Sequence, residues 1–335
     1  MRTDSGRVDV DGLAANRFHS VSIIVPVRNR ADTIRACLEH LGTAAAPLLE
    51  HGVSVEVVVA DDASTDGSGH MVEEAAAASA IPVRLVGLTE RQGPARARNA
   101  ALATARGELV VFVDSDIIVV PGFLLAHLKA YEGAADRAYT VGPVINVPDL
   151  ETALRFPPPT PWDMSMASLH TANASVPRQS LVELGAFDDG YDAYGWEDLD
   201  LGRRLKKAGF TRVEAKGAVA YHVDPPITTQ AQLAARLQKE RERGRTALRF
   251  LDKHPEFSAR LTAQDTSFHV FLNWLMRFGG AITEDNVLAW VDWANRRGWT
   301  GLGRVWLAGV VNQAYLTALA SSKRNRRGHR LGDGR

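Results

Sequence analysis

Residues 185–209 read GAFDDGYDAYGWEDLDLGRRLKKAG, and six carboxylates fall between Asp188 and Asp200: Asp188, Asp189, Asp192, Glu197, Asp198 and Asp200. Leu201, Leu205 and Ala208 give a helical inner face and Gly209 a stop, so the spacing predicts a helix starting near Trp196. Acids in a first turn are stabilised by the helix dipole. That accounts for Glu197, Asp198 and Asp200 without chemistry, but not for Tyr194, Gly195 and Trp196 before them. The run is either a solvated acidic turn feeding a helix or a place where a substrate loses a proton.

Other stretches carry chemistry of their own. In VFVDSDIIV, Asp114 and Asp116 stand at i and i+2 where an apolar run ends, with Ser115 between them. In a turn, two such carboxylates can converge into a hard-oxygen site for Mg²⁺ or Mn²⁺, which keeps waters and binds diphosphate. The bland alternative is a polar turn. In VVVADDASTDG, Asp61 and Asp62 either bond their own turn or accept an N–H from a base such as uracil. RQGPARARN opens a helix whose free N–H groups favour phosphate, with Gly93 near its start. Arg98 and Asn99 in its second turn can reach ribose or phosphate, whereas Arg91 and Arg96 read as surface charge. His222, in AVAYHVDPP, follows a short strand and is either structural or a ligand beside Asp116. Trp196 beside the acids suits a sugar ring, because aromatic faces stack on C–H faces and carboxylates accept hydroxyl protons.

Regular elements must position these residues. SVSIIVPV, VSVEVVVA, IPVRLVGL, ELVVFVD and AYTVGPVINV read as strands, the last as a fifth. Between them, ADTIRACLEHL, HMVEEAAAASA and GPARARNAALATARG read as helices, the third with Pro94 in its first turn. Alternation with short links implies an α/β fold with a mostly parallel sheet. Ligands then sit beyond the carboxyl ends of the strands, where Arg28-Asn29, Asp61-Asp62, Arg91-Gln92 and Asp114-Ser115-Asp116 fall. The proline-rich residues 147–170 read as a loop that can cover a site, with Trp162 and Asp163 as acceptor contacts. From residue 228 the pattern turns helical. The division expected is a polar extension 1–19, a half 20–146 that carries the strand ends, a half 147–227 that carries the acidic run, a helical region 228–321 and a disordered basic tail 322–335.

Bulk properties set limits. The chain has 335 residues, 45% apolar and 23% charged, which suits a soluble globular protein. A formal net charge of zero gives no general attraction to nucleic acid. The single cysteine excludes an internal disulfide, and the spacing of Cys37 from Ile34 and Leu41 places it in a core. The first twenty residues hold no apolar run of a signal peptide, and no stretch suits a membrane span. A cytoplasmic location is expected, free or peripheral on the inner face of a membrane.

Taken together and in order, IIVPVRNR, VVVADDASTDGS, RQGPARARNAAL, ELVVFVDSD and GAFDDGYDAYGWEDLDLGRRLKKAG resemble the family-2 glycosyltransferases. The resemblance covers roughly residues 20–225. The segment from Thr171 to Leu205 also resembles the C-terminal galactosyltransferase module of that superfamily. The resemblance implies the GT-A nucleotide-diphospho-sugar fold, with a helical extension, and a hexosyltransferase. Val25, Pro26 and Arg28 would line base and ribose, with Asp61 or Asp62 on the base N–H. Arg98 and Asn99 would lie near ribose and diphosphate. Asp114 would bind ribose or metal, and Asp116 and His222 the metal. Asp198 would be the general base and Glu197 would hold the acceptor, with Trp196 as a stacking wall. Burial and repulsion from Glu197 and Asp200 should raise the carboxyl of Asp198. The chain departs from the family at Ala100 and Ala101 after Arg-Asn, and at Ala186. It lacks the Gln-x-x-Arg-Trp type motif of processive synthases, so transfer of one sugar is expected.

The expected partners are a UDP-sugar donor and a hydroxyl acceptor, whether saccharide, lipid-linked or natural product, with no nucleic acid. Two other readings stay open: a sugar-nucleotide-binding assembly partner without turnover, and retaining chemistry on the same fold. Trp290, Trp293, Trp299 and Trp306 with the basic tail suit a core or dimer interface first, and a membrane surface second.

Overall fold

The computed structural model describes residues 17–160, 163–165 and 167–332. The chain forms two compact units, one from residues 17–189 and 197–225, the other from 190–196 and 226–332. The two halves expected at 20–146 and 147–227 are therefore one body, and a short piece of the acidic run belongs to the helical unit.

In the first unit β1 (Ser20–Val27), α1 (Ile34–Glu50), β2 (Ser54–Asp61), α2 (Ser68–Ala78), β3 (Val83–Gly87), α3 (Pro94–Thr104) and β4 (Leu109–Val113) alternate as the sequence implies. Then come β5 (Ile117–Val119), α4 (Phe123–Lys129), β6 (Ala138–Val141), β7 (Val144–Val147), α5 (Leu150–Leu154), β8 (Asn173–Pro177), α6 (Arg178–Glu183), α7 (Glu197–Lys207), β9 (Thr211–Glu214) and β10 (Ala220–Val223). A seven-stranded sheet runs β3-β2-β1-β4-β8-β6-β9, and a small sheet runs β5-β10-β7. The pairs β3-β2, β2-β1, β1-β4 and β6-β9 are parallel, while β8 is antiparallel to both neighbours. The β-branched runs of β1, β2 and β4 are buried on both faces, as central parallel strands require. Cys37 lies in this core. Burial raises its thiol far above the ordinary value and leaves it inert.

Three expectations change. AYTVGPVINV is two strands in two sheets, β6 and β7. Pro143 has no N–H to continue a ladder, and a side chain at Gly142 would collide with the Ala218 carbonyl at 2.4 Å. His222 lies within β10 rather than after a strand. The proline-rich loop contains the short helix α5, capped by the Asp149 side chain on the Thr152 amide.

The helical unit holds α8 (Gln230–Lys253), α9 (Phe257–Thr262), α10 (Ser267–Met276), α11 (Val287–Asn295) and α12 (Thr300–Gly332). Thr229 and Gln232 form a reciprocal capping box that starts α8. Leu233, Leu237, Val287, Trp306 and Val310 make its core. The basic tail expected to be disordered continues α12 as far as residue 332.

Candidate active site

Parallel pairing brings the ends of β1, β2 and β4 to one edge, with Val27 in register with Asp61. Chain leaves the sheet there at Arg28, Asp62 and Asp114. Pro26 is half-buried on β1 opposite Ala60. Arg28 Nη1 donates to the carbonyls of Asp62 and Ala63, the latter at 2.8 Å. Asp61 Oδ1 accepts the Ser64 amide at 2.9 Å. Asp62 is buried and takes the amides of Gln92 at 2.6 Å and Gly93 at 3.0 Å. Gly93 has φ 88° and ψ 166°, a region essentially closed to other residues. It turns the chain into Pro94, the first residue of α3. The amide of Gly93 expected at a phosphate is thus already bonded to Asp62.

Beyond β4, the Ile117 amide donates to the Asp114 carbonyl at 3.2 Å and closes a turn over Asp114-Ser115-Asp116. Ser115 is buried and its carbonyl accepts Thr33 Oγ1 at 3.0 Å. β10 sets His222 opposite Ile117. That register brings His222 Nε2 to 3.4 Å from Asp116 Oδ2, while Arg30 Nε donates to the same oxygen at 3.1 Å. His222 Nδ1 lies 2.8 Å from Asn146 Oδ1. Burial works to lower the His222 imidazole. The bond to Asp116 and the charges of Asp116 and Asp114 outweigh it and raise the group. One carboxylate and one imidazole suit Mn²⁺ or Mg²⁺ only if other oxygens complete the shell. Among the described residues no set of three or more His, Cys, Asp and Glu is placed to hold a metal. Phosphate oxygens and waters fit that shortfall.

The second turn of α3 does something the sequence did not suggest. Arg98 is 4% exposed. Its Nη2 donates to Asp114 Oδ1 at 2.8 Å and its Nη1 to Glu197 Oε1 at 2.9 Å. It bridges two carboxylates instead of lining an open donor groove. Asn99 donates to the Phe187 carbonyl at 2.9 Å and to Asp189 Oδ1 at 2.6 Å, and accepts the Phe187 amide at 3.0 Å. Its side chain staples the loop before α7. Both residues expected at ribose and diphosphate hold acidic segments in place.

Four of the six acids divide by partner. Asp200 is fully buried and paired with Arg204 at 2.9 Å, a bridge that fixes α7 to the carbonyls of Leu184 and Ala186. Asp189 is bound to Asn99. Glu197 and Asp198 remain at the start of α7. Asp198 is half-buried, and its Oδ1 accepts the Leu199 amide at 2.7 Å. Glu197 is 4% exposed, and its Oε2 is buried without a hydrogen-bond partner. Burial raises Glu197 to about 7 against the pull of Arg98, with the charge of Asp198 adding to the rise. Burial also raises Asp198, again against Arg98, and Asp114 adds to it. One guanidinium cannot balance three carboxylates. Asp200, from which repulsion was also expected, is itself paired with Arg204.

His170 was missed. It is half-buried beside these groups, and its Nδ1 is buried without a partner. Burial lowers its imidazole, opposed by Asp114 and aided by His222 and Arg98. Nothing in SLHTANAS marks it, since only the pairing of β8 with β4 brings the segment to this edge.

The acceptor residues fare differently. Trp196 is 2% exposed, and its ring packs with Phe250 and Tyr315 of the helical unit. Its Nε1 donates to the Arg243 carbonyl at 2.7 Å, and the Arg243 guanidinium lies 5.2 Å from the ring centre. The ring is core, with no open face for a sugar, which corrects the stacking-wall expectation. Asp163 accepts from the Thr160 amide and hydroxyl and closes a turn of the loop. Trp162 lies outside the described residues.

This edge, with D-S-D beside E-D, is that of a sugar-nucleotide fold, and comparison with known proteins agrees. The model of glycosyl transferase family 2 matches residues 22–171. A Bacillus subtilis (strain 168) protein named as glycosyltransferase YfnE is 26% identical over 261 residues, covering 61% of this chain and 65% of that one. Validoxylamine A glucosyltransferase of Streptomyces hygroscopicus subsp. jinggangensis is 24% identical over 294 residues, covering 77% and 66%. A mannosyltransferase from Pyrobaculum calidifontis, solved with GDP-Man and Mn²⁺, superposes with a TM-score of 0.57 at 23% identity, over 95% of this chain and 90% of that one. The chain spans less than two thirds of the length of these curated relatives. Residues 22–171 thus resemble the family-2 glycosyltransferases, and the chain has the GT-A fold.

Proposed function

We propose that the protein transfers one sugar from a nucleoside-diphosphate sugar, a UDP-sugar in this reading, to an acceptor hydroxyl with inversion at the anomeric carbon. The Arg98 bridge carries the reading. It joins Asp114, on the edge where nucleotides bind in such sheets, to Glu197, whose neighbour Asp198 lies outside the bridge. Pro26, Arg28, Asp61 and Asp62 face the base and ribose. Asp114 and Ser115 adjoin the diphosphate. Asp116 and His222 would hold a divalent cation, Mn²⁺ or Mg²⁺, which would supply positive charge to the departing diphosphate.

The chain's own residues do the rest. Glu197 holds the acceptor through its unpartnered Oε2. Asp198 takes the acceptor proton as the hydroxyl oxygen bonds to the anomeric carbon. The bond from that carbon to the diphosphate oxygen breaks, and its electron pair leaves with the nucleoside diphosphate. Attack from the opposite face inverts the centre. A carboxyl raised by burial is a better base than an ordinary aspartate. Asp163 and Trp162 belong to the loop proposed to meet the acceptor.

The test is release of nucleoside diphosphate from a panel of UDP- and GDP-sugars with Mn²⁺, with the product's anomeric configuration read by NMR. Asp198→Asn is expected to lose turnover by about 10²–10⁴-fold with donor affinity kept. A retained configuration, or an active Asp198→Asn enzyme, would sink the base assignment.

A further inference from the structure

Helix α10 of the helical unit is built inside out. Asn273 is its one buried residue, 1% exposed. It turns onto α12, donating to Gln313 Oε1 at 2.8 Å and accepting from Asn312 Nδ2 at 3.2 Å. The apolar side chains go the other way. Phe268, Phe271, Leu272, Trp274, Leu275 and, just past the helix end, Phe278 are exposed, Phe271 by 59% and Phe278 by 72%. The rings of Phe271 and Trp274 stack with centres 6.0 Å apart. An ordinary surface helix buries its apolar side and wets its polar side. An exposed apolar patch of this kind marks an interaction surface.

Charge selects the occupant. Residues 226–335 hold 18 of the 39 Lys and Arg but 9 of the 39 Asp and Glu, so this part carries +9 within a chain of zero net charge. The basic end of α12 reaches the entrance of α10, where Lys323 pairs with Asp265 just before the helix. Arg277 closes the helix. A second copy would set +9 against +9. An anionic lipid surface offers negative headgroups to the basic rim and acyl chains to the aromatic face. Ten residues make a helix of about 15 Å, half the thickness of a bilayer core. Among the described residues no helix is long and apolar enough to cross a membrane.

We propose that α10 docks in the plane of an anionic lipid bilayer, with Phe271 and Trp274 below the headgroups and the basic end of α12 at their level. The full chain should be sedimented with phosphatidylcholine vesicles, with and without phosphatidylglycerol. Binding to the anionic vesicles is expected to exceed binding to neutral ones by about tenfold and to weaken with salt. Phe271→Ser with Trp274→Ser should abolish it, with circular dichroism unchanged because both side chains are exposed. Quenching by brominated lipid should fall in Trp274→Phe relative to wild type, a readout that needs no disruptive variant. Equal binding to neutral vesicles, binding kept by the double variant, or no binding at all would overturn the proposal. So would a concentration-dependent dimer without vesicle binding that the double variant dissolves, which would assign the face to a second copy.

Discussion

Arg98 of α3 and Glu197, the first residue of α7, meet at 2.9 Å with both side chains 5% exposed. The other arm of the same guanidinium holds Asp114. Arg98→Ala would leave Glu197 buried without its cation, which pushes its carboxyl further up, and would free Asp114. Removing one partner of a buried pair costs about 3–5 kcal/mol. The denaturant midpoint of Arg98→Ala should fall accordingly, and turnover should fall with it as Glu197 and Asp198 lose their position. Arg98→Lys should restore only part, since an ammonium cannot fork between two carboxylates. An Arg98→Ala protein as stable as wild type would show that the bridge contributes nothing.

Glu197 gives stability a pH dependence of definite sign. Its carboxyl rises from 4.5 to about 7 in the fold, chiefly through burial. The native state therefore binds this proton more tightly than the unfolded chain does. The contribution is fully present below pH 4.5 and is lost as pH rises through 7, so wild-type stability should decline across that window. Asp198 shifts in the same direction. Glu197→Gln stays neutral throughout, so the difference between wild type and variant should narrow towards acid and widen towards pH 7. Denaturation midpoints measured across the window decide it. Parallel curves for the two proteins would refute the raised carboxyl.

How much of this was legible beforehand depends on the range of the interaction. Strands β1 to β4 and their helices follow from local period, and their carboxyl edge from topology, so Asp61, Asp62, Asp114 and Asp116 were found as a group. The junction between β6 and β7 was not, because a Gly-Pro break between two short strands leaves the apolar pattern unchanged. The inward turn of Arg98 and Asn99 was hidden too. Both belong to a polar helix face, and only the distant acidic loop makes that face an interior. Trp196 misled for a related reason. An aromatic beside acids looks the same in sequence whether its ring meets a ligand or Phe250 and Tyr315.

That difference can be measured. Trp196 has φ 79°, a conformation that a bulky residue holds only when its surroundings fix it. The ring, its Nε1 bond and the Arg243 contact supply the fixing. Trp196→Ala should cost about 3–5 kcal/mol, as expected for a buried tryptophan. Trp196→Phe should cost less, losing the bond to the Arg243 carbonyl. A stacking wall would behave otherwise, with acceptor KM rising and stability holding. A stable Trp196→Ala enzyme with raised acceptor KM would return this residue to the acceptor site.

The proposed donor edge includes Asp116 and His222, and calorimetric titration of UDP with and without Mn²⁺ tests it without an acceptor. If, as proposed, the chain gives two ligands to an ion, binding of metal and nucleotide should be mutually dependent, with phosphate oxygens completing the shell. Wild type should bind UDP more tightly with Mn²⁺, and chelation should reverse the gain. Asp116→Ala removes the carboxylate and should abolish the metal effect. It also releases Arg30, whose bond to Asp116 is part-buried, so a modest loss of stability is expected alongside. His222→Ala should weaken the metal effect by about 10–100-fold, as loss of a ligand or its support does. UDP affinity that is equal with and without Mn²⁺, and equal in wild type and Asp116→Ala, would place the diphosphate elsewhere. UDP failing where GDP binds with the same metal dependence would keep the edge and change only the base.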